Sequence, residues 1–205
     1  MDGRPQTMQQ DPVILAWVEQ ALNGDQDAFA ELLYTYQDAV YNLCYRMLYD
    51  RAEAEDATQE AFLRAYLNLS RYDTARSFKT WVLTIASNYC IDRIRRRRMH
   101  TLSIDADEDD GAPALQIADD RPEPEAVVAR GEQSRALQKL LATLPPEYRA
   151  AVVLRYWYDY SYVEIAGILD TTESAIKSRL FRARQMLADK LDAQTASVLA
   201  PLLEG

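Results

Sequence analysis

Apolar positions recur every three or four residues through most of the chain, the period of helices that turn one face to a core. The clearest run follows Asp25, where Phe29, Leu32, Leu33, Tyr36, Val40, Leu43, Cys44 and Met47 make one broad buried face. Upstream, Asp11 and Pro12 form an N-cap and first-turn pair for a helix to about Leu22, which Asn23-Gly24 stops. Asp50 opens a third helix, "RAEAEDATQEAFLRAYLNL", ending near Ser70. After "RYDTAR", a fourth is predicted from about Ser77 to Arg97. Its apolar face is Phe78, Trp81, Val82, Ile85, Tyr89 and Ile94, and a polar stripe of Thr80, Thr84, Asn88, Asp92 and Arg95 or Arg96 runs along the other side.

The second half repeats the helical period with sharper punctuation. A helix is predicted from near Glu125 to Thr143, and Pro146 suits the start of the next, with Leu154, Tyr156 and Trp157 as core bulk. Ser161 and Glu164 have capping-box spacing before "YVEIAGILD", Asp170 marks a turn, and Thr172 caps a last helix. A short capped helix, a tight turn and a second helix make the helix-turn-helix pattern.

Composition agrees with an all-α fold of two helical domains. The 205 residues are 48% hydrophobic and 27% charged, with only six glycines and eight prolines. The apolar runs are too short for a membrane span and the N-terminus lacks a signal pattern, so the chain is expected in the cytoplasm without direct membrane insertion. Cys44 and Cys90 fall in helical apolar patterns and read as buried thiols; His100 has no Cys or His neighbours to suggest a metal. No phosphate-cradling glycine loop or nucleophile–base set is present, so neither an enzyme nor a cofactor is expected.

Charge redraws this picture, because the net −9 is not spread evenly. Residues 101–130 hold nine acids against two bases and so contribute −7 of it. This acid-, Pro- and Gly-containing stretch reads as a flexible linker, and its acids are placed to screen the arginine cluster just before it from DNA. That cluster is "RIRRRR", Arg93 with Arg95 to Arg98. A second basic group, Lys177, Arg179, Arg182, Arg184 and Lys190, sits on the last helix with Asp189 as the only acid between Ile176 and Lys190. One basic cluster per domain points to an extended polyanion.

At about 100° per residue, Ile176, Leu180, Ala183 and Leu187 of the last helix share an inward face. Ser178, Arg182 and Gln185 then point outward, suited to base edges, with Phe181 also outward, while Lys177, Arg179 and Arg184 flank them as phosphate contacts. Glu173, Ser174 and Lys177 lie where recognition helices enter the major groove.

Three stretches taken together, "DRAEAEDATQEAFLRAY", "SFKTWVLTIASNYCIDRIRRRR" and "LPPEYRAAVVLRYWYDYSYVEIAGILDTTESAIKSRLFRARQML", resemble the extracytoplasmic-function (ECF) sigma factors of the sigma-70 family, over about residues 20 to 191. The resemblance implies an alternative sigma factor that binds core RNA polymerase and directs promoter-specific initiation in a stress or envelope response. It implies region two at 11–100, the acidic linker at 101–124 and region four at 125–191; in the tail at 192–205, the clustered Val198, Leu199, Leu202 and Leu203 suit packing on the second domain or, as the second choice, contact with a partner. Asp56, Gln59, Glu60 and Arg64 match the segment that binds the polymerase clamp, and region four is expected on the flap. Asn88, Asp92, Arg95 and Arg96 match the minus-ten helix, and the loop from Tyr72 to Phe78 matches the segment holding an extruded base. Ser174, Lys177, Ser178, Arg179 and Arg182 match the minus-thirty-five helix. Asp170 stands where the family commonly has glycine, and Ser174-Ala175 where it often has Gly-Thr. Core polymerase, promoter DNA and an anti-sigma factor are the implied partners. The competing reading is a helix-turn-helix regulator that binds DNA without polymerase.

Overall fold

The computed structural model describes residues 11–74, 76–104 and 135–190, with the backbone alone for 100–104. The expectations for the linker, for the start of the helix near Glu125 and for the C-terminal tail therefore lie wholly or mostly outside the described residues.

Capping sets the helix starts. The Asp11 carboxylate accepts from the Val13 amide at 2.9 Å to open α1 (Pro12–Leu22), and Asp25 accepts from Asp27 and Ala28 to open α2 (Gln26–Leu48). Between them Gly24 has φ +94°, a conformation that favours glycine. Asp50 accepts from the Glu53 amide at 2.8 Å to start α3 (Arg51–Leu67), which passes into a short 3-10 turn at Leu69–Arg71. Helix α4 spans Phe78–Ile104, so it continues four residues past His100.

The first domain packs α2 against α1, α3 and α4. Helix α3 meets its neighbours through Ala54, Ala57, Ala61 and Ala65, each fully buried. Small side chains at that spacing let the helices approach closely, which is why α3 shows little conventional apolar periodicity.

The second domain begins in α5, described over 135–142, and continues through α6 (Pro146–Trp157), α7 (Tyr162–Ile168) and α8 (Glu173–Ala188). Ser161 and Glu164 form the capping box that opens α7. Asp170 takes φ +46° in the turn to α8, and Thr172 Oγ1 accepts from the Ala175 amide at 3.1 Å. Ile176, Leu180, Ala183 and Leu187 are buried, so α8 turns its predicted inward face to α6 and α7.

The domains also pack on each other, α6 against α2 and α4, and α7 against α4. Arg149 is only 4% exposed; its guanidinium donates to the Met47 carbonyl across the boundary and to Ala142 and Leu144 in its own domain. The Tyr158 hydroxyl donates to the Ala39 carbonyl, and Arg46 lies over the Trp157 ring at 4.5 Å. Cys44 and Cys90 lie buried and unbridged in the first domain's core.

Candidate nucleic-acid and partner-binding surfaces

Helix α4 presents its polar stripe in two parts. Asn88, Asp92, Arg95 and Arg96 are exposed. Thr80 and Thr84 are not: Thr80 Oγ1 lies 3.2 Å from the Tyr160 hydroxyl of the second domain, and Thr84 Oγ1 donates back to the Thr80 carbonyl at 2.8 Å. Burial pushes the Tyr160 phenol up from its ordinary range. The reachable half of the stripe is thus the end that runs into the arginine cluster. There Arg95 lies 3.9 Å from Asp92 and forms an ion pair with Glu147 of α6.

Tyr72 and Phe78 stand elsewhere. Tyr72 is 7% exposed, its hydroxyl donates to the Arg76 carbonyl, and its ring meets Phe78 at 5.6 Å and Trp81 at 4.9 Å. Phe78 is fully buried and also packs on Tyr36 and Trp81. In this conformation both rings shape the loop and the start of α4 from within, and neither is presented to a base.

On α8, Ser174, Lys177, Ser178 and Arg182 are exposed and Arg179 is half-buried. The Lys177 ammonium lies 2.7 Å from Glu173 one turn earlier, a contact that raises its pKa. Ser178, Arg179 and Arg182 line an open cleft of about 370 Å³ together with Ala175, Arg95, Glu147 and Tyr148. One cleft therefore joins residues expected to read different promoter elements.

The third surface lies between α3 and α4. Asp56, Gln59, Glu60 and Leu63 face Tyr89 and Arg93 across a shallow cleft of about 410 Å³. Arg64 lies 2.7 Å from Glu60, with its guanidinium 4.9 Å from the Tyr89 ring centre. Arg93 donates to the Tyr89 hydroxyl at 3.1 Å, the main cause of its raised pKa, and lies 3.9 Å from Asp56. The charges of this face are held in a mutually paired array. Beside them Leu63 and Leu67 are 52% and 69% exposed, an apolar pair that the sequence reading did not single out. Their signal was present: they lie one turn apart, off the alanine face.

Among the described residues no helix is long and apolar enough to cross a membrane, and no group of three or more His, Cys, Asp or Glu is placed to hold a metal.

The family described as Sigma-70 region 2 matches residues 32–99, and that described as Sigma-70, region 4 matches residues 134–187. The chain is 40% identical over 176 residues to the ECF RNA polymerase sigma factor SigW of Bacillus subtilis (strain 168), covering 85% of this chain and 94% of that protein. It is 31% identical over 176 residues to the ECF RNA polymerase sigma-E factor of Escherichia coli (strain K12), covering 85% and 92%. In fold it resembles CnrH in its complex with the cytosolic domain of CnrY, with a TM-score of 0.64 and 24% identity over 89% of this chain and 99% of that one. It also resembles the sigma factor RpoE in complex with the anti-sigma factor NepR from Bartonella quintana, with a TM-score of 0.59 and 22% identity over 78% and 94%.

Proposed function

Since the chain belongs to the ECF RNA polymerase sigma factors, we propose that it binds core polymerase through α3 and reads promoter DNA through α4 and α8. The observation that carries this assignment is the stripe of Asn88, Asp92, Arg95 and Arg96, exposed on a helix whose opposite face, Val82, Leu83, Ala86, Cys90 and Ile94, is buried. Short hydrogen-bonding side chains there suit base contacts, and the arginines suit the adjoining phosphates. Tyr72 and Phe78 hold the loop and the start of that helix. Ser174, Ser178 and Arg182 reach base edges of the minus-thirty-five element, with Lys177 and Arg179 on its phosphates.

For the polymerase, Asp56, Gln59, Glu60 and Arg64 form a polar rim around exposed Leu63 and Leu67. An apolar centre with a charged rim is the usual anatomy of a protein interface. The protein works in the cytoplasm as an initiation factor without catalysis of its own, and its activity is controlled by an anti-sigma factor. RpoE of Bartonella quintana, which it resembles in fold, is in complex with an anti-sigma factor.

The test is reconstituted transcription. Core polymerase with this chain as the only specificity factor should initiate at start sites mapped from cells overexpressing it. A product dependent on another sigma factor would refute the reading.

A further inference from the structure

Resting on that reading of α4, we propose that Glu53 of α3 divides the arginine run of α4 by role: it holds Arg93 and Arg97 against the first domain and leaves Arg95 and Arg96 to meet the nucleic acid.

Helix geometry separates the two sets. At about 100° per residue, Tyr89, Arg93 and Arg97 follow one line along α4, whereas Asn88, Asp92, Arg95 and Arg96 follow another. The first line faces the start of α3. Arg97 Nη1 donates to Glu53 Oε2 at 3.2 Å, and Arg93 Nη2 lies 3.7 Å from Glu53 Oε1, so each carboxylate oxygen takes one arginine. Arg93 is held further by the Tyr89 hydroxyl at 3.1 Å and by Asp56 at 3.9 Å.

The backbone places Glu53 for this. Asp50 accepts from the Glu53 amide at 2.8 Å, which sets the residue in the first turn of α3. Its side chain is 24% exposed, against 52% for Glu55 two residues on, so it is the carboxylate of that turn directed into the seam where α3 packs on α4. Water screens a pair in such a seam less than it screens one on open surface.

Charge gives the arrangement its consequence. Each phosphate that a protein cation neutralises releases counterions, and their number sets the salt dependence of binding. An arginine already neutralised by Glu53 adds little to that number, and one tied to α3 is not free to swing to a phosphate. Glu53 therefore decides which arginines the strand meets and so the line along which it crosses α4. It is a positioning residue, acting through Arg93 and Arg97.

The test measures binding of the full chain to a labelled single-stranded 20-mer of random sequence over a range of salt, with circular dichroism as a check on helicity. Wild type, Glu53→Ala, Arg97→Ala and the double variant form a cycle, and Glu55→Gln controls for loss of a negative charge from the same turn. Glu53→Ala should steepen the salt slope by about 0.7 for each arginine that reaches a phosphate, which enlarges the affinity change between about 50 and 200 mM salt about threefold per arginine. Arg97→Ala should leave the wild-type slope unchanged and, combined with Glu53→Ala, cancel its own share of the gain. An unchanged slope in Glu53→Ala, or no binding by either protein, would overturn the proposal. A lower slope in Arg97→Ala alone would also overturn it, by placing Arg97 on a phosphate already. Equal steepening in Glu55→Gln would do the same, by reducing the effect to net charge. Glu53→Gln, which removes the charge and keeps the side chain's shape, takes the place of Glu53→Ala if the alanine variant loses helicity. Random DNA tests the division of the arginines without a promoter, and reconstituted transcription tests the sigma role without these variants, so the two readings can fail independently.

Discussion

The guanidinium of Arg149 in α6 donates to the carbonyl of Met47 in the last turn of α2, so a cation from one domain closes a helix of the other. A helix C-terminus leaves carbonyls without intrahelical partners and attracts positive charge. With Ala142 and Leu144 bonded as well, Arg149 ties three backbone segments together. Lysine keeps the charge but lacks the planar fork. Arg149→Lys should therefore lower stability by about 2–3 kcal/mol, the worth of one or two charge-assisted hydrogen bonds. Urea denaturation of the full chain checks it.

Asp170 turns the chain between α7 and α8 at φ +46°, which aspartate visits more readily than most residues. Asp170→Ala should cost about 1 kcal/mol through the strain of the left-handed conformation. Asp170→Gly should be neutral or slightly stabilising, since relief of that strain is offset by glycine's greater freedom when unfolded. Thermal unfolding of the two variants side by side should show a loss for alanine and none for glycine. A similar loss in both would mean that the carboxylate itself matters.

This turn also shows what was legible in the sequence. Caps at Asp11, Asp25, Asp50, Ser161 and Thr172 use local bonds within three residues, so residue type and spacing announce them. The inward face of α8 followed from periodicity alone. The domain interface did not. Arg149 sits in "PEYRAAVVLR" as one of three charged residues with nothing to mark it as the buried one, and its main partners are backbone carbonyls, which carry no sequence signature. For the same reason Thr80 and Thr84 read as open surface although the second domain covers that end of α4. Tyr72 and Phe78 were found by family resemblance, which marks a loop without saying which way its rings point.

The burial of Phe78 separates two kinds of residue within the proposed minus-ten region. Phe78→Ala should cost about 3–5 kcal/mol of stability, as for other buried phenylalanines. Asn88→Ala, at an exposed position, should change stability by no more than about 0.5 kcal/mol yet weaken promoter opening. Melting curves and single-stranded minus-ten binding together distinguish these effects. A stable Phe78→Ala protein with lost DNA binding would reverse the assignment.

Leu63 is 52% exposed beside the paired charges of α3, and the proposed polymerase surface centres on it. Leu63→Glu should leave the melting temperature within about 2 °C, as surface changes usually do, while lowering affinity for core polymerase by at least tenfold, or about 1.4 kcal/mol. Competition against wild-type protein for limiting polymerase measures it. Equal competition would move the interface off this face.

Helix α8 offers the finest discrimination, because two of its cations stand in different electrostatic settings. Arg182 is exposed with no ion pair among the described residues, whereas the Lys177 ammonium is already engaged by Glu173. A base-reading arginine confers about 1–3 kcal/mol of discrimination, so Arg182→Ala should flatten preference among minus-thirty-five variants. Lys177→Ala should weaken all sequences equally and reduce the salt slope by about one ion or less, since part of its charge is already neutralised within the helix. Glu173→Gln should act oppositely: it frees Lys177 and removes a negative charge from the groove entry, tightening binding to every sequence without changing their order. Titrations of duplex variants at two salt concentrations resolve the three patterns. A change in sequence order with Glu173→Gln would show that Glu173 reads a base.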